Sequence, residues 1–339
     1  MATGDRPDDR AATTSRTVQH HHAPVWAMAL AFVVGLLVVA QSRSNGGLAV
    51  AVGDGLLAAV LSFVTGAVIL AVIIAARPAT RRALTRALPA QLRSGRLRWW
   101  HLAGGLGGAL LVAGQGLAVP VLGVALFTVV MVAGNTGTSL VVDRVGLGPG
   151  AARAVTARRV VAALGATAAV ALAVGGRAAA GDLAVWAVVL VLVAGAAVAI
   201  QPALNGQVAL RTGDVLAATA VNFAVGLTAL VVALAVEHLA GHAWTAPPPP
   251  WEEPLLWLGG PVGVLFIAVG SLVVRPLGVL LFGLLNIAGQ LTGSLVSDLL
   301  FPTPGTVVGW QLLAGAALTG ASVALAATRP RGARVSAAT

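Results

Sequence analysis

The sequence predicts an all-α polytopic membrane protein of ten transmembrane helices arranged as two inverted five-helix repeats. Composition is the first reason: 58% of the 339 residues are hydrophobic and only 9% are charged, a balance that belongs to chains dissolved in lipid. Internal repetition is the second. Gly35, Gln41, Asn45, Gly46, Gly53, Asp54, Phe63 and Gly66 recur 160 positions later as Gly195, Gln201, Asn205, Gly206, Gly213, Asp214, Phe223 and Gly226, with no gap. A fixed-spacing match that includes polar residues in apolar surroundings marks two copies of one unit. A second register, of 155, relates Gly104, Gly105, Gly108, Gly123, Phe127, Gly134, Ser139, Leu140 and Asp143 to Gly259, Gly260, Gly263, Gly278, Phe282, Gly289, Ser294, Leu295 and Asp298.

A helix needs about 20 apolar residues to cross the hydrocarbon core, and ten runs qualify: 25–50, 55–76, 99–119, 120–142, 157–174, 183–207, 214–236, 255–274, 276–297 and 306–327. Spans three and four abut at Val119-Pro120, and spans eight and nine at Arg275-Pro276. Proline suits a helix's first turn, so each junction is expected to be a tight turn and not the middle of one long helix. Residues 1–24 read as a disordered tail, 25–175 as the first repeat, 183–327 as the second and 328–339 as a second tail. Five spans per repeat reverse the chain direction, so the halves must be inverted. That arrangement puts a transporter's binding site at the repeat interface near the midplane.

The net charge of +10 comes from basic residues that are all arginine and cluster in a few polar gaps. Counted on alternate sides, Arg77 to Arg98, Arg144 to Arg159, Arg211, Arg275, Arg329 to Arg334 and the N-terminal tail share one face, opposite Arg43 and Arg177. By the positive-inside rule both termini are cytoplasmic and the membrane is the cytoplasmic one. The Arg-rich loop between spans two and three reads as a topology signal that meets anionic lipid, not nucleic acid. Four prolines at 247–250 fall outside as an extended spacer, with Trp251 and Trp257 at the interface.

No enzyme is expected. There is no cysteine, which excludes disulfides, thiolate nucleophiles and zinc-thiolate sites. His101, His238 and His242 stand apart, and His20, His21 and His22 close a flexible tail with no carboxylate or thiolate beside them to complete a metal site. No phosphate-loop lysine or hydrolase motif occurs, so neither cofactor nor metal is expected. The polar residues that remain are amides inside apolar runs. Gln41 with Asn45, Gln201 with Asn205, and Asn286 with Gln290 are each four apart, on one helix face. Asn135 occupies the position of Gln290 in the first half, and Asn222 matches Ser62. Amides in hydrocarbon need partners: either a neighbouring helix, as glue, or a polar cavity, which their symmetric arrangement favours as a substrate site. Asp54 and Asp214 read as helix caps. Asp143 and Asp298 end spans four and nine, where the dipole disfavours anions; they are candidates for gating or coupling, with Arg211 and Arg43 able to oppose them respectively.

These motifs, Gly-x5-Gln-x3-Asn (Gly35 to Asn45, Gly195 to Asn205), Gly-Gly-x2-Gly (from Gly104 and Gly259) and Ala-Gly-Gln/Asn…Ser-Leu-x2-Asp (Ala133 to Asp143, Ala288 to Asp298), resemble the YdcZ-type branch of the drug/metabolite transporter superfamily. The resemblance spans the chain outside its tails, in a fused form. It implies a ten-helix bundle, alternating access and export, with Asn135 standing where the family more often has Gln. The embedded Glu of the small multidrug resistance relatives has no counterpart. The expected partners are a small-molecule substrate and the bilayer, with a homodimer left open; rival readings are a lipid-carrier flippase on the same fold and a non-transporting scaffold. If ten spans run from a cytoplasmic start, a reporter active only in the cytoplasm will work when fused after Arg82 and fail after Pro249; the opposite pattern overturns the span count.

Overall fold

The computed structural model describes residues 24–147, 156–179, 184–241, 243–302 and 308–327. The tails, with His20 to His22, and the loop 148–155 lie outside the described residues, as do the side chains of Asp143, Arg177 and Arg275. The described chain is helical: α1 (Val25–Val52), α2 (Gly55–Ala75), α3 (Pro78–Arg82), α4 (Leu88–Arg93), α5 (Gly104–Leu122), α6 (Val124–Val145), α7 (Ala157–Ala179), α8 (Val185–Thr212), α9 (Val215–Leu239), α10 (Gly259–Leu300) and α11 (Trp310–Ala327). Six helices among the described residues are long and apolar enough to cross a membrane.

The Gly-Asp pair of each repeat is a turn built from two opposed caps. Gly53 ends α1 at φ 72°, and Asp54 then accepts the Leu57 amide at 2.8 Å to start α2. Gly213 (φ 72°) and Asp214, bonded to the Ala217 amide at 2.9 Å, do the same between α8 and α9. Glycine takes the left-handed conformation without a Cβ clash, and aspartate satisfies an orphan amide at the next helix start. The second oxygen of Asp214 accepts from Thr80 at 2.9 Å, tying α3 to α9.

The Arg-rich segment between α2 and α5 is not an extended loop. It runs through α3, one π-helical turn at Ala83–Ala87 and α4. Pro89 in the first turn of α4 has no N–H to give, so the preceding turn widens to five-residue spacing while its arginines stay at the surface.

Both expected proline junctions differ from the sequence reading. Pro120 lies inside the last turn of α5, and the chain breaks three residues later at Gly123, whose φ of 76° and ψ of 164° only glycine adopts readily. Further on, helix is assigned without a break from Gly259 to Leu300, across Arg275-Pro276. The packing still requires α10 to double back. Gly263 abuts Gln41 and Gly293 abuts Val39, positions about 3 Å apart along α1, whereas a straight helix would separate the two glycines by about 45 Å. Val273 packs on Ala27 and Ala31 at the start of α1, and Arg43 near its other end bonds Phe301. Thus α10 descends α1 and returns along it.

The contacts between repeats obey an exchange rule. Gly35 meets the backbone of Asn286 and Gln290, and its mate Gly195 meets that of Met131 and Asn135. Gly260 meets Ser62 and Gly66; Gly105 meets Asn222 and Gly226. In every pair the first repeat touches the second as the second touches the first, which is what a pseudo-two-fold axis demands. Phe63 and Phe223, themselves mates, stack with ring centroids 5.1 Å apart, and Gly66 touches Phe223 as Gly226 touches Phe63. Contacts of 63 with 226 and of 66 with 223 run antiparallel, so the repeats are inverted.

A Cβ on Gly260 would overlap Thr65, Ser62 and Gly66, whereas one on Gly137 meets nothing within 4 Å. Gly260→Ala will therefore cost roughly 1–3 kcal/mol of overpacking, read as a lower melting temperature of purified protein, whereas Gly137→Ala, free of clashes inside α6, will not lower it and will raise it by the helix preference of alanine.

Candidate functional site

The glycine rows exist because amides of the other repeat lie across them. On one side, a Cβ on Gly259 would run into Asn45 and Ser62, and one on Gly263 into Gln41. On the other, Gly104 is covered by Asn205, and a Cβ on Gly108 would stand 3.2 Å from Asn222 Oδ1, 3.3 Å from Gln201 Nε2 and 3.5 Å from Phe63. The structure gathers the amides into two groups, Gln41/Asn45 and Gln201/Asn205/Asn222, related by the pseudo-axis and flanking the phenylalanine pair. Asn286 and Gln290 adjoin Gly35, and Asn135 adjoins Gly195; the Gln290 amide donates to Asn286 Oδ1.

The two groups share one register but differ in state. Gln41 is 5% and Asn45 0% exposed. Gln41 Nε2 donates to the Gly259 carbonyl at 3.1 Å, and Asn45 Nδ2 to Gln115 Oε1 at 2.7 Å. Gln115 in turn donates to Ser42 Oγ at 2.9 Å. Gln201 and Asn205 are only partly covered, and Pro202, the mate of Ser42, is exposed. The same contrast runs along α6, where every residue from 124 to 133 is buried and none of the described residues from 134 to 145 is. Neither Gly137 nor Gly283 has an atom within 4 Å of a Cβ position. Among the described residues, one end of the bundle is fully covered and the other is only partly so.

Among the buried amides, four polar atoms have no partner within the described residues: Gln41 Oε1, Asn45 Oδ1, Asn222 Nδ2 and Gln290 Oε1. An unmade hydrogen bond on a buried amide costs about 1–3 kcal/mol. These side chains therefore serve as interhelical contacts with spare hydrogen-bonding capacity.

Asp298, 2% exposed, has a definite task at the closed end. Its carboxylate accepts the first two amides of α6, Val124 at 3.0 Å and Ala125 at 2.8 Å. It caps that helix from another one. Arg43 donates to the Phe301 carbonyl, lies 5.1 Å from the Phe301 ring centroid and remains within electrostatic reach of Asp298, the group it was expected to oppose. Arg211 stands in the last turn of α8; the side chain of its expected partner Asp143 lies outside the described residues.

Sequence reasoning missed Gln115. It is fully buried and holds α5 to α1 through both Asn45 and Ser42. The signal available was a lone amide within an apolar run, but its mate 155 positions on is Gly270, so the repeat comparison passed over it.

The profile of the family described as "Putative inner membrane exporter, YdcZ" (DMT_YdcZ) matches residues 26–172 and again 186–325. The chain belongs to the YdcZ family. The two matched segments are the two repeats, and the family is one of inner-membrane exporters within the drug/metabolite transporter superfamily, not an enzyme class. The protein is thus a multi-pass inner-membrane protein of the transporter type. The comparison with curated proteins gave no match.

Replacing Gln115 by Leu removes two interhelical bonds at once. The expected loss is about 1 kcal/mol, the scale measured for such bonds inside membrane bundles, and Asn45→Ala added to Gln115→Leu will cost less than the sum of the two. Strict additivity in thermal unfolding would show that the network is not coupled.

Proposed function

We propose that the protein exports a small, uncharged, hydrogen-bonding molecule by alternating access, on a bundle of ten spans with both termini in the cytoplasm. The observation that carries the reading is that one amide register is sealed in the first repeat and accessible in the second. An inverted-repeat transporter changes state when its halves exchange conformations, so its resting structure must be asymmetric in this sense.

The arginine asymmetry orients the bundle, with the closed, Asp298 end facing outward and the uncovered half of α6 facing the cytoplasm. The conformation is then inward-open, ready to take cargo from inside. The described groups along the less covered half include amides and a hydroxyl: Asn135, Ser139, Gln201 and Asn205. Such groups pair well with neutral donors and acceptors, in a medium where unpaired charge is expensive. Binding at Gln201 and Asn205 takes up their hydrogen-bonding capacity. Closure of the inner end then brings them to the state Gln41 and Asn45 hold now, while the outer amides become accessible.

Cells carrying the gene will release at least one neutral polar metabolite faster than cells lacking it. Asn205→Ala will keep membrane abundance while reducing that release about tenfold, the equivalent of 1.4 kcal/mol. Release undiminished in Asn205→Ala would remove the second amide group from the mechanism.

A further inference from the structure

An open cleft lies against the end of the first helix of each repeat, and the two clefts carry opposite charge. Beside the end of α1 the lining includes Ala51, Thr245 and Pro248, and its charged residue is Glu253. Beside the end of α8 a cleft of about 530 Å³ separates the Thr212-Gly213-Asp214 turn from the connector that holds α3 and α4, and the connector faces it with Arg82 and Arg86. The fold thus supplies the cleft twice, and the sequence makes one of them basic.

The basic cleft is built to keep its charge. Arg82 and Arg86 are four residues apart on one side of the connector, and Arg82 spends one of its five donors on the Pro78 carbonyl, at 3.3 Å. Asp214 shares the lining, but one of its oxygens accepts the Ala217 amide and the other the Thr80 hydroxyl. Two cations against one anion leave a single net positive charge, the complement of one phosphodiester. Orientation signals account for arginines in this connector but not for a pair lining a cleft; Arg93 and Arg96, both exposed, serve such a signal without lining it.

The surroundings point to a lipid as the source of that phosphodiester. The turn joins α8 to α9, two helices long and apolar enough to cross a membrane, so it lies at the depth of the headgroups. Leu210 and Val215 flank it and are 58% and 54% exposed, which offers acyl chains an apolar track beside the cleft. Leu88 and Leu92 of the connector pack with Leu97, Val208 and Ala218, while Arg81, Arg82 and Arg86 are exposed. That is the placement of an amphipathic helix lying in the interface.

We propose that this cleft binds the headgroup of an anionic phospholipid, with its phosphate between Arg82 and Arg86 and its acyl chains along Leu210 and Val215. Guanidinium forks match phosphate oxygens in pairs, which makes arginine the suitable cation here. The bound lipid fastens the connector to the α8–α9 turn beside the Thr80–Asp214 bond. The site is independent of what is exported.

The test uses full-length protein stripped of lipid in neutral detergent, titrated with dioleoyl-phosphatidylglycerol or dioleoyl-phosphatidylcholine, with bound lipid counted by native mass spectrometry. The parent will retain one phosphatidylglycerol in preference to phosphatidylcholine, and inorganic phosphate at equal concentration will not displace it. Arg82→Gln with Arg86→Gln will weaken retention about tenfold, the loss expected when two basic contacts to an anionic headgroup go. Arg93→Gln with Arg96→Gln removes the same charge outside the cleft and will leave retention as in the parent. Equal retention of the two lipids by the parent overturns the site without any variant. Equal losses in the two arginine pairs reduce it to diffuse charge and overturn it as well, and displacement by phosphate overturns the lipid as its occupant.

Discussion

The structure depends on helix backbones from opposite repeats touching at glycine. Without a hydrophobic force between helices in lipid, close packing and interhelical hydrogen bonds must hold the bundle. Gly35 against Asn286 and Gly195 against Met131 bring α1 onto α10 and α8 onto α6 at backbone contact. Gly260 and Gly105 do the same for α2 and α9. Neither repeat closes on itself: α1 lies in the hairpin made by α10, and α8 packs on α5 and α6. The two sequence registers of 160 and 155 are thus halves of one constraint. Each amide-bearing helix must meet the glycine-bearing hairpin of the other copy.

That constraint also explains the amides. A glycine leaves room over the helix, and an amide fills it with a group that can bond a carbonyl, as Gln41 does at Gly259. Under the transport reading, glue and binding are therefore not alternatives for these residues. Gln41 and Asn45 act as interhelical contacts at the closed end and still keep an unbonded oxygen each. Gln201 and Asn205, in the same register, are only partly covered. One chemistry serves both duties because an amide donates and accepts at once.

The sequence exposed the architecture through side chains and hid what depends on backbone. The repeats, the glycine rows and the Gly-Asp turns were legible because each needs a particular residue type at a fixed spacing. The first hairpin break was misplaced by weighting proline. Pro120 is tolerated in the last turn of α5, and the reversal is made by Gly123 in a conformation closed to other residues. Asp298 was recognisable as an anomaly, a buried carboxylate at the wrong end of a helix. Its partners could not be named, because Val124 and Ala125 contribute only N–H groups. Arg43 was set opposite Asp298 by charge and does lie within its electrostatic reach, but charge could not show that its hydrogen bond goes to the Phe301 carbonyl at the end of α10. Gln115 escaped because repetition was the filter and it is not repeated.

Under the transport reading, the unrepeated residues decide which state the protein rests in. A perfectly symmetric pair of inverted repeats would hold its inward-open and outward-open forms at equal free energy, since each is the other turned over. Departures from symmetry break that tie. Gln115 has Gly270 as its mate, Arg43 has Ala203, and Ser42 has Pro202. All three residues of the first repeat bond at the closed end: Gln115 to Asn45 and Ser42, and Arg43 to Phe301. Thr245 adds two more bonds there, its amide and hydroxyl meeting the Val52 and Ala51 carbonyls at 2.9 and 3.0 Å. Interhelical bonds in membranes average about 0.6 kcal/mol, so the three between helices alone shift a balanced equilibrium by roughly 2 kcal/mol, or about thirtyfold. That is enough to favour one state, yet small enough for a bound substrate to reverse it. Repetition supplies two states, and the places where repetition fails choose between them.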